Sequence, residues 1–267
     1  MPSWTTLLLV VAGFVPSIVW LAIYLTNDSH PEPKSRLIKT FVMSLILALV
    51  AALAQELFVK SIRHFDPSYI FENSKIFYLW AAFVEEFIKF TAVFFIALRS
   101  VDFDEPVDAM IYMITAGLGF AALENTLFLF DSFNTSIHSG ATVATGLTEA
   151  FKIWMLRFFG ATLLHTLASG ILGYFLALAW FYHHHSKKII TIGIIAATLF
   201  HFAFNLGFVL FDSSRSGYNV YAAFVSSSAV LGGMIVLVAI LFYKIKMRTL
   251  ASRSTVYLST SIPVSTV

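Results

Sequence analysis

Cysteine is absent from this chain, and charged residues are scarce. Without a thiol, the chain can form no disulfide and can carry out no thiolate chemistry. Asp, Glu, Lys and Arg together make up only 12% of the residues, whereas 58% are hydrophobic. That balance is typical of a polytopic membrane protein and leaves no soluble domain. The net formal charge of +2 gives no reason to expect nucleic acid as a partner.

Long hydrophobic runs take up nearly all of the chain. A bilayer crossing needs about 20 apolar residues, and seven runs meet that length: about 3–25, 37–59, 76–98, 107–130, 154–181, 189–211 and 220–243. We therefore predict an all-α, polytopic membrane helical bundle with about seven transmembrane helices, which forms a single domain over 1–246. The first run has no basic residue before it and no small-residue cleavage site after it, so we interpret it as a retained span. The Ser/Thr-rich segment 247–267 is predicted to be a disordered cytoplasmic tail.

Basic residues in the loops predict how the chain is oriented. Of the lysines and arginines outside the spans, ten fall on one side and five on the other. Because cytoplasmic loops carry the excess of basic residues, we predict an outer amino terminus and a cytoplasmic carboxyl terminus in a bacterial or archaeal cell membrane. The segment 131–151 then faces outside, either as a surface loop or as a short interfacial helix. We interpret the histidines at 183–185, which precede two lysines, as part of a basic patch and not as a metal site.

Ionisable residues inside the spans are the strongest functional signal. The third run contains Glu85, Glu86 and Lys89, and each such group costs several kcal/mol in hydrocarbon unless it is paired. Lys89 follows the glutamates by one helical turn, so it can neutralise one of them. The other polar residues within the spans are few: Gln55, Glu56, Glu124, Asn125, Arg157, His165, His201 and Asn205. Gln55 and Glu56 either border a polar site or lie at the interface, and we leave them outside the predicted site.

Four of these residues lie at a similar depth. Counted from the outer end of its run, Glu85 is nine residues in, Glu124 six, His165 eleven and His201 ten. At 1.5 Å of rise per residue, the depths are about 9–16 Å. One buried histidine alone would indicate a satisfied interhelical hydrogen bond, but the whole set predicts a single hydrated polar site in the outer half of the bundle.

These side chains suit the hydrolysis of a bond by water. A glutamate in a low-dielectric site can act as a general base, and His and Asn can donate hydrogen bonds to a developing oxyanion. Alternatively, the two histidines and one or more glutamates hold a divalent metal, with Zn²⁺ as the candidate cofactor. Three signatures of other intramembrane proteases, His-Glu-x-x-His, Gly-x-Ser-Gly and Gly-x-Gly-Asp, are absent from the sequence.

Four segments on successive spans resemble the PrsW family of intramembrane proteases, which is related to the CAAX prenyl endopeptidases and to bacteriocin-immunity-type membrane proteins. The segments are Glu85-Glu86-Phe-Ile-Lys89, Gly119-Phe120-Ala121-Ala-Leu-Glu124-Asn125, Arg157 through His165, and His201-Phe-Ala-Phe-Asn205. They occur in order within about 76–211, half of the chain, which we take as the catalytic core.

The resemblance implies a helical-bundle endopeptidase. Its expected partners are the lipid bilayer and a membrane-protein or peptide substrate, such as a single-span anti-sigma factor. The resemblance assigns catalysis to Glu85 or Glu86 as the base, to His165 and His201 as oxyanion donors or metal ligands, and to Asn205 as a supporting donor. The supporting residues are Lys89, Glu124, Asn125 and Arg157. A metal would take its ligands from Glu85, Glu86, Glu124, His165 and His201. Glu124 stands where the prenyl endopeptidases have a histidine, which leaves the division of roles open.

The leading hypothesis is that Glu85 activates a water molecule, that Glu86 pairs with Lys89 or orients the base, and that the two histidines stabilise the tetrahedral intermediate. One alternative is a proton- or cation-coupled transporter, because intramembrane Glu and His chains also relay protons. The sequence has no inverted repeat of the kind that builds such transporters. A second alternative is a non-catalytic scaffold subunit of a membrane complex, similar to the helical scaffold subunit of γ-secretase.

Overall fold

Helices account for nearly all of the described structure. The computed structural model describes residues 3–26, 31–71, 74–210 and 220–260. Within these ranges eight α-helices follow one another: α1 Ser3–Leu25, α2 Lys34–Phe65, α3 Lys75–Ile96, α4 Asp108–His138, α5 Val143–Phe159, α6 Ala161–Phe181, α7 Ser186–Leu210 and α8 Val220–Thr260. A 3-10 turn, His183–His185, joins α6 to α7. The prediction of an all-α bundle is confirmed, since the described ranges contain no strand.

Six stretches of the described residues are long and apolar enough to cross a membrane. They comprise α1, α2, α4, the α5 and α6 pair, α7 and α8. The remaining helix, α3, has 22 residues and carries Glu85, Glu86 and Lys89 buried within the bundle, whereas Lys75 at its beginning is exposed. Burial among protein partners, in place of contact with lipid, makes these charges tolerable. The molecule is therefore a polytopic helical membrane bundle, as predicted.

The segment 131–151 is largely helical, which favours the helical alternative over the surface loop. Helix α4 continues to His138, and α5 begins at Val143 after a turn in which Gly140 has a φ of 88°. Thr142 starts α5, because its side-chain oxygen accepts a hydrogen bond from the backbone nitrogen of Thr145 at 3.3 Å. The sequence pattern missed this start because the segment is only mildly apolar and rich in Ser, Thr and Gly.

The predicted fifth span, 154–181, is divided at Gly160. This residue has φ −101° and ψ −88°, outside the helical range, and it separates the end of α5 from the beginning of α6. A β-carbon at Gly160 would lie 2.6 Å from the carbonyl oxygen of Leu156. Next to the break, Nε1 of Trp20 donates a hydrogen bond to the carbonyl oxygen of Phe158 at 3.0 Å, which ties the end of α5 to α1.

Helices α4 and α6 form the centre of the bundle. Small residues let their backbones approach closely, because Gly117 lies against Ser169 and Gly173 lies against the backbone of Met110. A β-carbon at either glycine would come within 2.6 Å of its nearest neighbour. The helices α1, α2, α3 and α5 pack on α4, whereas α7 and α8 pack on α6. Polar side chains on α4 and α6 therefore meet those of α3 and α7 inside the protein.

The loop between α3 and α4 is tied to the beginning of α2. Nε of Arg36 donates to Oδ2 of Asp102 at 2.9 Å, and the hydroxyl of Ser100 donates to the same oxygen at 2.9 Å. These hydrogen bonds, with the positive charge of Arg36, hold the pKa of Asp102 below its ordinary value. Nearby, the Tyr112 hydroxyl donates to the carboxylate of Glu32. This end of the bundle is the one that we predict to face the cytoplasm.

Helix α8 runs past residue 247, where a disordered tail was predicted to begin. It continues to Thr260, and residues 261–267 lie outside the described part of the chain. Just past residue 247, Nη2 of the exposed Arg248 donates to the Tyr182 hydroxyl at 2.6 Å. The guanidinium group also lies 4.9 Å from the centre of the Phe181 ring. These contacts hold the continuation of α8 against the end of α6.

Candidate active site

The polar residues predicted from the spans converge at the meeting point of five helices. Helix α3 supplies Glu85, Glu86 and Lys89, and the other members of the cluster come from α4, α5, α6 and α7: Glu124, Asn125, Arg157, His165 and His201. Glu85 is 5% exposed, His165 and His201 are each 2% exposed, and Glu86 and Lys89 are fully buried. In a setting this dry, every charge and every ring nitrogen needs a defined partner.

Glu86 and Lys89 form a buried ion pair one helical turn apart. Nζ of Lys89 donates to Oε1 of Glu86 at 2.6 Å. The same nitrogen contacts Nδ1 of His165 at 2.8 Å and lies 4.9 Å from the centre of the Phe120 ring. The sequence predicted that Lys89 neutralises one glutamate, and the structure shows that this glutamate is Glu86.

The contacts of each histidine define which ring nitrogen carries the proton. A lysine ammonium group has only donors, so Nδ1 of His165 accepts from Lys89, and Nε2 of His165 donates to Oε2 of Glu124 at 2.7 Å. Oε1 of Glu86, already paired with the Lys89 ammonium, is an acceptor at 2.8 Å from Nδ1 of His201. Nδ1 of His201 is therefore the donor, and Nε2 presents a lone pair. Each imidazole is oriented by its own carboxylate.

Within the described part of the chain, both Glu85 and Glu86 have one buried carboxylate oxygen without a hydrogen-bond partner, but Glu85 makes no ion pair with Lys89, and its unpartnered oxygen faces the two histidines. Its Oε1 accepts a hydrogen bond from Nε2 of Gln55 on α2 at 3.1 Å. Its buried Oε2 has no hydrogen-bond partner among the described residues and lies 3.6 Å from Nε2 of His201 and 3.9 Å from Nδ1 of His165. The lone pairs of Glu85 Oε2 and His201 Nε2 thus face each other, an arrangement that favours a bound cation or proton between them, and Nδ1 of His165, which accepts from Lys89, borders the same space.

Glu124 is held by a second set of contacts that reaches the break between α5 and α6. Nη2 of Arg157 donates to Oε2 of Glu124 at 2.6 Å, and Nε of Arg157 donates to Oδ1 of Asn125 at 2.7 Å. Nδ2 of Asn125 in turn donates to the Thr162 hydroxyl at 2.9 Å. The guanidinium group also lies 4.2 Å from the centre of the Phe128 ring. Arg157 therefore fixes the carboxylate that orients His165.

One prediction about a neighbouring residue needs correction, and the role of Asn205 stays a prediction. Gln55, which we left outside the site, is in contact with Glu85, whereas Glu56 pairs with Lys60 on the exposed face of α2 at 2.6 Å. Asn205 lies one turn after His201 and is half-buried, and no hydrogen bond among the described residues joins it to the cluster. The signal that could have identified Gln55 is its polarity within the apolar second run, on the helix that packs against α3.

Comparison with known proteins places the chain in a family. A family model described as "PrsW family intramembrane metalloprotease" matches residues 32–243, which include Gln55 and every residue of the cluster. The chain belongs to the PrsW family. It is accordingly an integral membrane protein of the intramembrane protease class, and the resemblance noted in the sequence is confirmed.

Curated PrsW relatives come from several bacteria. The Protease PrsW of Shouchella clausii is 25% identical over 249 residues, which cover 93% of this chain and 99% of that protein. That of Oceanobacillus iheyensis is 27% identical over 194 residues, or 73% of this chain and 80% of the relative. The Geobacillus kaustophilus protein is 29% identical over 153 residues, and the match spans 65% of its length. No solved structure matches the chain significantly.

The PrsW family description includes a metal, and three residues of the cluster have the donors to bind one. Ligand atoms of Glu85, His165 and His201 all lie within 4.8 Å of one another. Two histidines and one glutamate are a frequent ligand set of catalytic zinc. The remaining predicted ligands, Glu86 and Glu124, each contact the opposite nitrogen of a histidine, the position of a residue that orients a metal ligand. The residues present therefore fit a metal ion.

Proposed function

We propose that this chain is an endopeptidase that hydrolyses membrane-associated proteins with water activated by Glu85. The observation that supports this function is the unpartnered oxygen of Glu85, which faces one ring nitrogen each of His165 and His201. The other ring nitrogen of each histidine is held by a second carboxylate, Glu124 for His165 and Glu86 for His201. General bases in hydrolases need a basic atom with no competing partner and a defined position for the water. Glu85 meets both requirements, whereas Glu86, which also has an unpartnered oxygen, is paired with Lys89, and Glu124 is paired with Arg157.

Glu86 is less suited to be the base. Its Oε1 is shared between the ammonium group of Lys89 at 2.6 Å and Nδ1 of His201 at 2.8 Å. A carboxylate that accepts two charge-assisted hydrogen bonds holds its negative charge and gives little driving force for taking a proton from water. We assign Glu86 the role of orienting His201, and Lys89 the role of neutralising Glu86.

The histidine tautomers favour metal ligation over donation to an oxyanion. Because His201 uses its Nδ1 proton on Glu86, its Nε2 offers a lone pair toward Glu85. His165 likewise turns Nδ1 toward the same space, where Lys89 now contacts it. In a metal-dependent alternative, Glu85, His165 and His201 would be the ligands, with Lys89 withdrawing from His165, and the activation of water would then come from the metal in place of the Glu85 carboxylate. Zinc in such a site acts as a Lewis acid that activates water and polarises a carbonyl group.

The hydrolytic step is a proton transfer through Glu85. Oε2 of Glu85 accepts a proton from water as the water oxygen bonds to the carbonyl carbon of the scissile peptide. The tetrahedral intermediate then collapses, the carbon–nitrogen bond breaks, and Glu85 returns the proton to the leaving nitrogen. The products are a new carboxyl terminus and a new amino terminus. The resemblance to PrsW proteases suggests a single-span protein, such as an anti-sigma factor, as the substrate class.

The function can be tested with purified protein in liposomes. Single-span reporter proteins, co-reconstituted with the wild-type chain in water enriched in ¹⁸O, are expected to be cut, with one ¹⁸O atom entering each new carboxyl group. Mass spectrometry measures both the cleavage position and the label. Reporters that stay intact, together with a proton flux that depends on Glu85, would indicate a transporter instead.

Metal binding is expected to depend on His201. The metal-dependent alternative predicts that the wild-type protein, purified without chelators and dialysed against trace Zn²⁺, retains about one zinc ion per chain, as measured by elemental mass spectrometry. His201→Ala removes one of three ligands and should lower the zinc content to near background. His184→Ala is the matched control, because His184 is exposed and far from the cluster in the sequence. Equal zinc in all three proteins would rule out the proposed ligand set.

The predicted orientation can be tested with single cysteines, because the chain has no native cysteine. Ser139, at the end of α4, and His184, after α6, are exposed. They lie at opposite ends of the bundle, since Trp180 near the end of α6 contacts Phe103 ahead of α4, with ring centres 5.1 Å apart. A membrane-impermeant maleimide should label Ser139→Cys in intact cells, and His184→Cys only after permeabilisation. The reverse pattern would place the amino terminus in the cytoplasm.

A further inference from the structure

A single hydrogen bond joins α2 to the proposed base. Nε2 of Gln55 donates to Oε1 of Glu85 at 3.1 Å, whereas Oε2 of Glu85 is left without a partner and faces the two histidines. We propose that Gln55 is a positioning residue that orients the Glu85 carboxylate for catalysis. This inference rests on the proposed function, in which Glu85 takes the proton of the attacking water.

The geometry of a glutamate side chain explains why such a residue is needed. The terminal torsion of a carboxylate is broad and two-fold, so an unrestrained Glu85 would rotate both oxygens through the position that faces His201. Gln55 donates to Oε1 of Glu85 and thereby leaves Oε2 as the oxygen that faces His201. Its amide does so without adding a charge, which matters because a cation at this position would compete with a proton or a metal for the carboxylate.

Gln55 is itself held in place by packing between α2 and α3. One turn before it, Ala51 is fully buried in a cluster with Val84. One turn after it, the ring of Phe58 stacks on Trp80, with centres 5.6 Å apart and planes inclined by 18°. Contacts on both sides fix the Gln55 backbone relative to α3, so the amide has a defined direction toward Glu85.

Gln55→Met tests the proposal, because methionine keeps the length and the apolar stem but lacks the donor. We expect kcat for reporter cleavage in liposomes to fall about 10–100-fold, the usual effect of losing a residue that orients a reactive ligand, while KM stays within about two-fold. Glu56→Gln is the matched control, since Glu56 is the next residue and points to the exposed face. Gln55→Asn, one methylene too short to reach Glu85, should behave like Gln55→Met. Wild-type kcat in Gln55→Met would overturn the proposal.

A second measurement tests the positioning role of Gln55 even if the wild-type chain cleaves no reporter. That absence of cleavage would refute the proposed function. Melting temperatures are compared for the wild type, Gln55→Met, Glu85→Met and the double variant. If the two side chains act as a pair, the shift of the double variant will differ from the sum of the single shifts. Additive shifts would show that Gln55 does not hold Glu85, and they would overturn the positioning role independently of activity.

Discussion

A Glu85→Gln variant is expected to lose peptide-bond hydrolysis by a factor of about 10²–10⁴, the range that a general base contributes. The amide oxygen of the new side chain can still accept the hydrogen bond that Gln55 now donates to Oε1 at 3.1 Å. Its amide group has no basic oxygen to take a proton from water. Activity should therefore disappear while the helix contacts remain. Turnover of a reporter in liposomes gives kcat, and thermal unfolding gives the stability of the same preparation.

Glu86→Gln is the informative comparison for this experiment. Glu86 is fully buried between Lys89 and His201, so its neutralisation should destabilise the protein and disturb His201 as well as lower the rate. Glu85→Gln should instead lower the rate with little loss of stability. If Glu85→Gln hydrolyses the reporter at the wild-type rate and Glu86→Gln is inactive at unchanged stability, the roles that we assign to the two glutamates are reversed.

The convergence of the site could be predicted from the sequence because depth in a membrane helix follows from residue count. Glu85, Glu124, His165 and His201 were expected within about 9–16 Å of the outer surface, and the structure joins them through side-chain contacts. Hydrocarbon enforces this regularity, since a polar residue in a span must find partners at its own level. Burial, helical periodicity and the need for hydrogen-bond partners therefore constrain the same few residues.

Side-chain direction could not be predicted from depth. Adjacent glutamates on α3 point about 100° apart around the helix, and only the packing of α2 and α7 shows which one meets Gln55 and which one meets His201. The break at Gly160 escaped prediction for a related reason. The run 154–181 is continuous in hydropathy, whereas the break depends on contacts of Trp20 and Leu156 that sequence periodicity does not report.

Lys89 and Glu86 are the two fully buried charged residues of the cluster. The ammonium group of Lys89 is satisfied by Glu86 at 2.6 Å, by Nδ1 of His165 at 2.8 Å and by the face of Phe120. Replacing both partners of a buried ion pair by neutral groups is often harmless, whereas removing one partner leaves an uncompensated charge. The stability of the bundle should therefore depend on the balance between Lys89 and Glu86, not on either residue alone.

Lys89→Met is expected to lower the free energy of unfolding by about 3–5 kcal/mol, because Glu86 then keeps a buried negative charge without its cation. Adding Glu86→Gln should recover most of this loss by removing that charge. Unfolding by SDS in mixed micelles measures all three proteins. Lys60→Met is the matched control, since Lys60 pairs with Glu56 at 2.6 Å on the exposed face of α2, and it should change stability by no more than about 0.5 kcal/mol. A Lys89→Met protein as stable as the wild type, or a double variant that recovers nothing, would contradict a buried ion pair between these two residues.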